Sequence, residues 1–337
     1  MNYLQAPDMV TWEITEKCNM HCKHCSNAVD GCYIELPTSL CKKIIDRLVE
    51  ANVFKVGIEG GEPFCRNDLL ELIDYMNNFY LSPSIATNGT LINEDVILEL
   101  KKRQIDALQF SLDGSSSWHY SRLRNNGNCF DLVISNIKRA VQHGLPVSIA
   151  MVISKSTFHD IPNMAALAHE LGVAKLRFID FIPSGRGSIE ECLSKEEYED
   201  VCHMINAINI YGLTVVAPSK IMSLINGNTR NTLINMINPS ECFGCEAGLA
   251  IAHIRANGDL TPCSFFREDQ FVAGNILEKP LSDIWLNSVA LRPFREYQSV
   301  PSKCLQCDRN HECMGGCRAY AYYSTGNLES EDLRCWR

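Results

Sequence analysis

Three cysteines near the start of the chain have the spacing of ligands for an iron–sulfur cluster. Cys18, Cys22 and Cys25 lie in a short loop that directly follows the apolar segment Val10–Ile14. A cubane cluster contains four irons and normally takes four thiolates, so a loop that supplies three leaves one iron open. Open metal positions bind reactants, whereas closed ones serve structure. The sequence therefore predicts a reactive cluster, with a zinc loop or three buried thiols as the alternative.

Four short segments rich in glycine and polar residues accompany this loop. They are Gly60–Pro63, Thr87–Thr90, Ser111–Gly114 and Pro183–Gly187. Each one alone is compatible with a turn, because Gly, Pro, Asn and Asp are turn formers. Each follows a β-type run, however, and the carboxyl ends of the strands form the catalytic rim of an α/β barrel. Together the segments indicate a site beside the cysteine loop.

β-type runs alternate with helix-length amphipathic segments from residue 9 to about residue 217. The expected strands are Val10–Ile14, Phe54–Glu59, Ser84–Thr87, Ala107–Leu112, Val147–Ile153 and Lys175–Phe181. The expected helices are Ser39–Ala51, Asp68–Phe79, Glu94–Arg103, Leu132–His143, Ile161–Leu171 and Lys195–Tyr211. This alternation predicts parallel strands with right-handed helical crossovers. The predicted fold class is α/β, a partial (β/α)6 TIM-type barrel followed by a small cysteine-rich iron–sulfur domain.

A second group of cysteines occupies the C-terminal part of the chain. Its members are Cys245, Cys263, Cys304, Cys307, Cys313, Cys317 and Cys335. Spaced cysteines of this kind indicate metal, and a pair of zinc knuckles is the alternative to iron–sulfur clusters. We divide the chain into the barrel at 1–217, a polar connector or lid at 218–241, and the cysteine-rich domain at 242–337. A hairpin with its turn at Asn257–Gly258 is expected early in the third region.

Composition limits the classes of protein to be considered. The chain has 337 residues, 17 cysteines and a formal net charge of −9. The negative charge argues against nucleic acid or an anionic membrane as partner. Because signal-peptide features and membrane-length apolar stretches are missing from the sequence, we expect a cytoplasmic protein with reduced or metal-bound cysteines. Six scattered cysteines, which we interpret as small buried hydrophobes, are Cys32, Cys41, Cys65, Cys129, Cys192 and Cys202.

The CxxxCxxC loop, with His24 before its last cysteine, resembles the motif of the radical S-adenosylmethionine (SAM) enzymes. In that family the open iron holds the amino and carboxylate groups of SAM. Gly60, Gly61, Glu62 and Pro63 resemble the family motif for the amino group of SAM. The resemblance also implies that Asn88, Ser111 and Asp113 line the SAM pocket and that Arg124 pairs with the SAM carboxylate. Arg122 is a near-equal candidate for that carboxylate, and Arg186 is equally compatible with the site and with the surface.

The C-terminal cysteines resemble the seven-cysteine SPASM pattern, which in the family holds two auxiliary clusters. Matching by position assigns Cys245, Cys263 and Cys317 to the nearer cluster, with Cys242 as the suggested fourth ligand. The same matching assigns Cys304, Cys307, Cys313 and Cys335 to the farther cluster. The implied cofactors are therefore SAM and three [4Fe–4S] clusters.

The resemblance covers nearly the whole chain and implies reductive cleavage of SAM to methionine and a 5′-deoxyadenosyl radical, with a flavodoxin- or ferredoxin-type reductant. Auxiliary clusters fully ligated by thiolates suit an electron acceptor, which favours a net oxidation such as a cross-link, a dehydrogenation or a decarboxylation. The segments are most similar to those of peptide-maturing enzymes, including those for mycofactocin and pyrroloquinoline quinone precursors. We therefore expect a ribosomally made peptide as substrate. The alternatives are oxidation of a tetrapyrrole or other small molecule and a non-catalytic electron relay.

Two features refine this expectation. The chain starts almost at its first strand, so we expect a peptide to be recognised by a separate protein or by the barrel and residues 219–241. The sulfatase-maturing branch places an aspartate directly after its second SPASM cysteine, whereas Ser264 follows Cys263 here. No catalytic acid or base is assigned, since Glu16, Asp180 and Glu246 are interpreted as surface or ion-pairing carboxylates.

Overall fold

The computed structural model describes residues 4–28, 31–217, 244–296, 301–308, 310–313 and 315–337. The connector predicted at 218–241 and Cys242 lie outside the described residues. The strands are β1 (Met9–Glu13), β2 (Lys55–Glu59), β3 (Ser84–Thr87), β4 (Ala107–Ser111), β5 (Val147–Ile153), β6 (Lys175–Asp180), β7 (Thr214–Val216), β8 (Ile251–Ile254), β9 (Asp259–Thr261) and β10 (Gly274–Asn275). The first seven α-helices are α1 (Thr38–Glu50), α2 (Leu69–Asn77), α3 (Glu94–Lys101), α4 (Ser117–Arg124), α5 (Phe130–Gln142), α6 (Ile161–Glu170) and α7 (Lys195–Ala207). Those of the C-terminal region are α8 (Leu281–Asn287), α9 (Arg292–Arg295), α10 (Ser302–Leu305), α11 (Asn310–Cys313) and α12 (Arg318–Thr325).

The ten strands of the described residues belong to one sheet, in the order β10-β9-β8-β1-β2-β3-β4-β5-β6-β7. Strands β1 to β7 are parallel to their neighbours, as the predicted α/β barrel requires. The expected hairpin at Asn257–Gly258 is present as the antiparallel pair β8 and β9. Strand β8 also pairs in parallel with β1, where His253 lies opposite Thr11. The sheet of the barrel therefore continues into the cysteine-rich region.

Alternation along the strands separates the core from the interior of the barrel. In β1 the side chains of Val10 and Trp12 are 0% and 1% exposed and belong to the hydrophobic core between sheet and helices. Successive side chains of a strand point to opposite faces, so Thr11 and Glu13 face the other way. The same alternation in β2 directs Glu59 to the interior. The strands therefore bring polar groups to the inside of the barrel.

Helix α4 is an element that the sequence analysis did not predict. Its amphipathic pattern is weak, but its boundaries follow ordinary rules. The Ser116 hydroxyl accepts a hydrogen bond from the His119 N–H at the start of the helix, and Asn125 ends it with a left-handed φ of 58°. Both residues are typical at these positions. This helix carries Arg122 and Arg124, so its phase decides which of them reaches the site.

A buried ion pair joins the barrel to the cysteine-rich region. Glu13 on β1 is 1% exposed, and it accepts hydrogen bonds from Arg267 Nη1 at 2.9 Å and from Asn27 Nδ2 at 2.6 Å. Burial would raise the pKa of Glu13, but the interaction with His253 and the charge of Arg267 lower it to about 2. The carboxylate therefore stays ionised at neutral pH.

Within the described ranges, no helix has the length and apolar character that crossing a bilayer requires.

We expect Glu13→Gln to lower the free energy of unfolding by about 3–5 kcal/mol, because Arg267 is left without its buried anionic partner. A carboxyl group with a lowered pKa stabilises the fold above its unfolded pKa of about 4.3. The contribution of Glu13 is therefore complete at neutral pH and is lost only as the pH falls toward 2. Anaerobic thermal unfolding at pH 7 measures the effect.

The matched control is Glu71→Gln, which removes an exposed ion pair in which Lys42 Nζ lies 2.6 Å from Glu71 Oε1. An exposed pair contributes about 0–1 kcal/mol, so this variant should unfold close to the wild-type temperature. Equal effects of the two substitutions would contradict the role assigned to Glu13.

Candidate active site

The three cysteines of the N-terminal loop line one cavity of about 580 Å³ at the carboxyl ends of the strands. This volume lies within the range of about 300–1,000 Å³ that is usual for ligand sites. The other groups predicted for the site that also line the cavity are Gly60, Gly61, Glu62, Asn88, Ser111, Arg124 and Arg186. Most of the rim expected from the sequence thus lines a single cavity, but Pro63 and Asp113, which were also expected there, are buried and do not line it.

Backbone contacts with the glycine pair after β2 fix one side of the cysteine loop. The Gly61 N–H donates to the Thr15 carbonyl at 2.8 Å, and the Glu62 N–H donates to the Lys17 carbonyl at 2.7 Å. A Cβ on Gly60 would lie 2.4 Å from the Thr15 oxygen, and one on Gly61 would lie 2.2 Å from the Lys17 oxygen. Only glycine therefore permits this approach.

A second glycine segment, after β6, holds the other side of the loop. A Cβ on Gly185 would lie 2.4 Å from the Cys25 oxygen. The Arg186 N–H donates to that same oxygen at 3.0 Å, and Arg186 Nε donates to the Cys22 carbonyl at 3.0 Å. The sequence was equally compatible with Arg186 at the site and at the surface. The structure places Arg186 at the site.

Glu62 connects the glycine segment to the end of β3. Its side chain is fully buried and accepts hydrogen bonds from the Thr87 hydroxyl at 2.7 Å, the Asn88 N–H at 2.7 Å and the Phe64 N–H at 3.2 Å. Burial raises the pKa of Glu62 in spite of these donors. With most of its acceptor positions occupied, the Glu62 side chain holds the segment in place.

Arg124 is the arginine of α4 that faces the cavity. Its Nε donates to Asp113 Oδ2 at 2.5 Å, and its Nη1 lies 3.9 Å from the sulfur of Cys22. Burial works against the charge of Arg124, but the Asp113 carboxylate raises its pKa above the ordinary value. Arg122, by contrast, lies over the exposed ring of Trp118 at 5.4 Å. A cation that stays charged beside the cavity suits a bound carboxylate.

Asp113 lies behind the cavity wall and positions its neighbours. It is fully buried, and besides Arg124 it contacts His24 Nε2 at 3.3 Å and accepts the Val152 N–H at 2.8 Å. Burial raises the pKa of Asp113, but the charges of Arg124 and His24 more than offset this and lower it. Asp113 is therefore an ionised anchor for the cysteine loop and for α4.

Several C-terminal cysteines lie near others of the set that the family resemblance implies for them. Burial raises the pKa of Cys263 and Cys317, and the nearby sulfur of Cys245 raises both further. In the second set, burial raises the pKa of Cys313 to about 11, with further contributions from Cys335 and Cys304. Burial also raises the pKa of Cys304, with further contributions from Cys335 and Cys307. The first set adjoins the cavity, since Phe265, two residues after Cys263, lines it.

The C-terminal tail is held to the barrel by Arg334. Its Nη1 lies 2.8 Å from Asp180 Oδ2 at the end of β6, and its Nη2 donates to Asp332 Oδ2 at 2.7 Å. Its guanidinium lies over the rings of Tyr320 at 4.0 Å and Tyr198 at 4.8 Å. Asp332 also accepts the N–H of Cys317 at 3.1 Å. One buried arginine therefore links both cysteine sets to the barrel.

The interpretation of the scattered cysteines as buried hydrophobes is correct for two of them. Cys41 and Cys202 are each 1% exposed and belong to the core. It is wrong for Cys32, which is exposed because it lies in an irregular segment between β1 and α1. The remaining three, Cys65, Cys129 and Cys192, are half-buried.

The residues around the cavity fit a cluster-bound SAM. Burial raises the pKa of the Cys18 thiol to about 11, so a cationic metal is needed to hold it as a thiolate. Three thiols, two arginines and several hydrogen-bonding groups share this single space. Within the described ranges, no three His, Cys, Asp or Glu side chains converge closely enough to hold one metal ion.

Comparison with known families agrees with this site. Residues 12–168 match the model of the radical SAM superfamily, and residues 245–308 match that of the SPASM iron–sulfur cluster-binding domain. The second match favours iron–sulfur clusters over the zinc knuckles considered above. Helix α4 with Arg124, the end of β1 and the strands β2 to β5 lie inside the first match.

Related proteins and solved structures resemble the chain over most of its length. It is 32% identical to the mycofactocin maturase MftC of Mycobacterium tuberculosis, over 98% of this chain and 83% of that protein. It is 28% identical to the AdoMet-dependent heme synthase of Methanosarcina barkeri, over 98% and 96%. The structure of Streptococcus suis SuiB bound to its precursor peptide SuiA matches with a TM-score of 0.82 at 21% identity, over 99% of this chain and 77% of that one. The fold is thus a known one.

The chain belongs to the radical SAM superfamily and, within it, to the oxidoreductases that carry a SPASM domain. In this class the bound cluster supplies one electron that cleaves SAM to methionine and a 5′-deoxyadenosyl radical. The residues of this chain bind and orient: Arg124 faces the space for a carboxylate, and the glycine segments fix the cysteine loop. The family assignment makes the chain an enzyme, which removes the non-catalytic relay.

The sequence analysis missed Glu59, which lines the cavity from the end of β2. The strand was predicted, and its period of two already placed Glu59 on the face opposite Val56 and Ile58. What the sequence did not contain was its partner, His253, because β8 joins β1 only in the folded sheet. The alternation was therefore the signal that could have identified it.

Gly60→Ala should displace the cysteine loop, and the purified protein should lose the iron of one cluster. Gly144→Ala is the matched control, since Gly60 and Gly144 have φ of 151° and 77°, but a Cβ on Gly144 meets nothing within 4 Å. Both variants place an alanine at a positive φ that L side chains rarely adopt, and only Gly60→Ala adds the clash. Iron and sulfide analysis measures the outcome, and equal iron in both variants would contradict the role of Gly60.

Proposed function

We propose that this enzyme oxidises a ribosomally made peptide by a cross-link, a dehydrogenation or a decarboxylation. The relatives support a peptide substrate, because the maturase of M. tuberculosis is 32% identical over 98% of the chain. The fold supports it as well, since a closely similar one binds the precursor peptide SuiA in S. suis SuiB.

The shape of the cavity carries the proposal. SAM and a cubane at the three cysteines would have to share a space of about 580 Å³ with any substrate group. The room that remains suits one side chain inserted from a peptide that lies outside the cavity. A whole tetrapyrrole is larger than SAM itself and fits this remainder less well. The geometry of the described residues therefore favours a peptide.

Three [4Fe–4S] clusters complete the proposed cofactor set. The first is held by Cys18, Cys22 and Cys25. The nearer auxiliary cluster takes Cys245, Cys263 and Cys317, with Cys242 as proposed fourth ligand, and the farther takes Cys304, Cys307, Cys313 and Cys335. Within each auxiliary set, the pKa of two thiols is raised by other cysteines of the same set, which supports this division. A flavodoxin- or ferredoxin-type protein is the proposed reductant, and a separate protein or the barrel itself recognises the peptide.

Oxidation of a tetrapyrrole is the second candidate. It is favoured by the heme synthase of M. barkeri, since the alignment covers 96% of that protein, compared with 83% of the maturase. The two functions can be distinguished by which substrate changes mass, the peptide or the tetrapyrrole.

We expect short peptides encoded beside the gene to change mass after anaerobic co-expression with the enzyme. A cross-link or dehydrogenation removes two hydrogens, and a decarboxylation removes a carboxyl group. Both require SAM cleavage at the open iron, so Cys18→Ala should leave the mass unaltered. Accurate mass spectrometry of the peptides measures the change.

The matched control is Cys32→Ala, because Cys32 is exposed and stands outside the three proposed ligand sets. This variant should modify the peptide as the wild type does. If no peptide changes while iron-coproporphyrin incubated with the enzyme loses carboxyl groups, the proposal fails and the tetrapyrrole function replaces it.

A further inference from the structure

Four carboxylates line the cavity, and one differs from the others. They are Glu16, Glu59, Glu62 and Asp180. The Glu59 side chain is 33% exposed, whereas Glu16, Glu62 and Asp180 are 7%, 0% and 8% exposed. The three buried carboxylates already interact with other groups of the protein. The donors to Glu62 are described above, Asp180 accepts from Tyr198 and pairs with Arg334, and Glu16 accepts the Ile34 N–H at 2.8 Å. Glu59 is thus the carboxylate that can meet a substrate.

His253 supports Glu59 from inside the barrel. Its ring is 2% exposed, and its Nδ1 lies 3.2 Å from Glu59 Oε1 and 2.8 Å from the Thr11 hydroxyl. Its Nε2 lies 3.7 Å from Glu13 Oε2. His253 therefore holds the Glu59 carboxyl group on one side, while the side chain remains accessible from the cavity. This is the arrangement of a positioned general base.

His253 lies among charged groups from three packed elements. These groups are Glu13 from β1, Glu59 from β2 and Arg267 from the cysteine-rich region. Burial lowers the pKa of His253, but the nearby carboxyl groups of Glu13 and Glu59 raise it above the ordinary value overall.

An oxidation that removes two hydrogens needs a proton acceptor. The 5′-deoxyadenosyl radical breaks one C–H bond and takes the hydrogen atom as its own new C–H bond. The substrate radical then gives one electron to the iron–sulfur cluster of the SPASM domain and one proton to a base, and a new bond or double bond forms. Oxidative decarboxylation, in contrast, releases carbon dioxide and needs no base.

We infer that Glu59 is the general base that takes this proton, with His253 as its positioning residue, and that the reaction is a cross-link or a dehydrogenation. This inference rests on the proposed function and narrows it, because a base has no use in a decarboxylation. Phe265 places the SPASM domain on the same cavity, so electron and proton leave from one space.

The test compares Glu59→Gln, which keeps size and hydrogen bonding, with the wild type on the peptide found by co-expression. The measured quantity is the ratio of modified peptide to 5′-deoxyadenosine. We expect it to fall by about 10²-fold, and recovered peptide to carry deuterium when the reaction runs in heavy water. His253→Gln should lower the ratio less, and iron analysis shows that both variants retain their clusters.

An unchanged ratio in Glu59→Gln overturns the inference, as does a wild-type product that has lost a carboxyl group. A wild-type enzyme that modifies no peptide instead contradicts the proposed function.

A second measurement tests Glu59 without any peptide. Treating the anaerobic holoenzyme with a water-soluble carbodiimide and glycinamide should label Glu59 and spare Glu62 and Asp180, as read by peptide mass mapping. Labelling of Glu62 or Asp180 with Glu59 untouched would overturn the inference on its own.

Discussion

Close contact between backbones gives the cysteine loop its shape, and the active site depends on it. The loop is enclosed on one side by Gly60 and Gly61 and on the other by Gly185, at positions where a Cβ would overlap a carbonyl oxygen. Three thiols on a loose loop could bind a metal in many ways. Held by two strand ends, they keep one geometry, which an open iron requires if it is to bind SAM in a single orientation.

Buried ion pairs transmit that geometry to the rest of the chain. Arg124 is held by Asp113 beside the loop, Arg267 by Glu13 between the two regions, and Arg334 by Asp180 at the tail. Removing one partner of such a pair leaves an uncompensated buried charge, so each pair holds its two segments together. Arg124 and Asp180 line the cavity, so two of these pairs join it directly to the structure around it.

Much of this was predictable from sequence, because local patterns encode it. The six expected strands and six expected helices are present with ends displaced by up to four residues. The choice of Arg124 over Arg122 was not predictable, since it depends on the phase of a helix with a weak apolar pattern. The pair Glu59 and His253 depends on β8 joining β1, residues far apart in the chain. Long-range pairing is what the sequence patterns do not contain.

The central claim is that Cys18, Cys22 and Cys25 hold a cluster whose open iron binds SAM. The most direct measurement is electron–nuclear double resonance of the reduced enzyme with SAM that carries magnetic isotopes in its carboxylate and amino groups. We expect hyperfine coupling from both groups in the wild type and its loss in Cys18→Ala, in which the auxiliary clusters should remain. A reduced N-terminal cluster that shows no coupling to either group would contradict it.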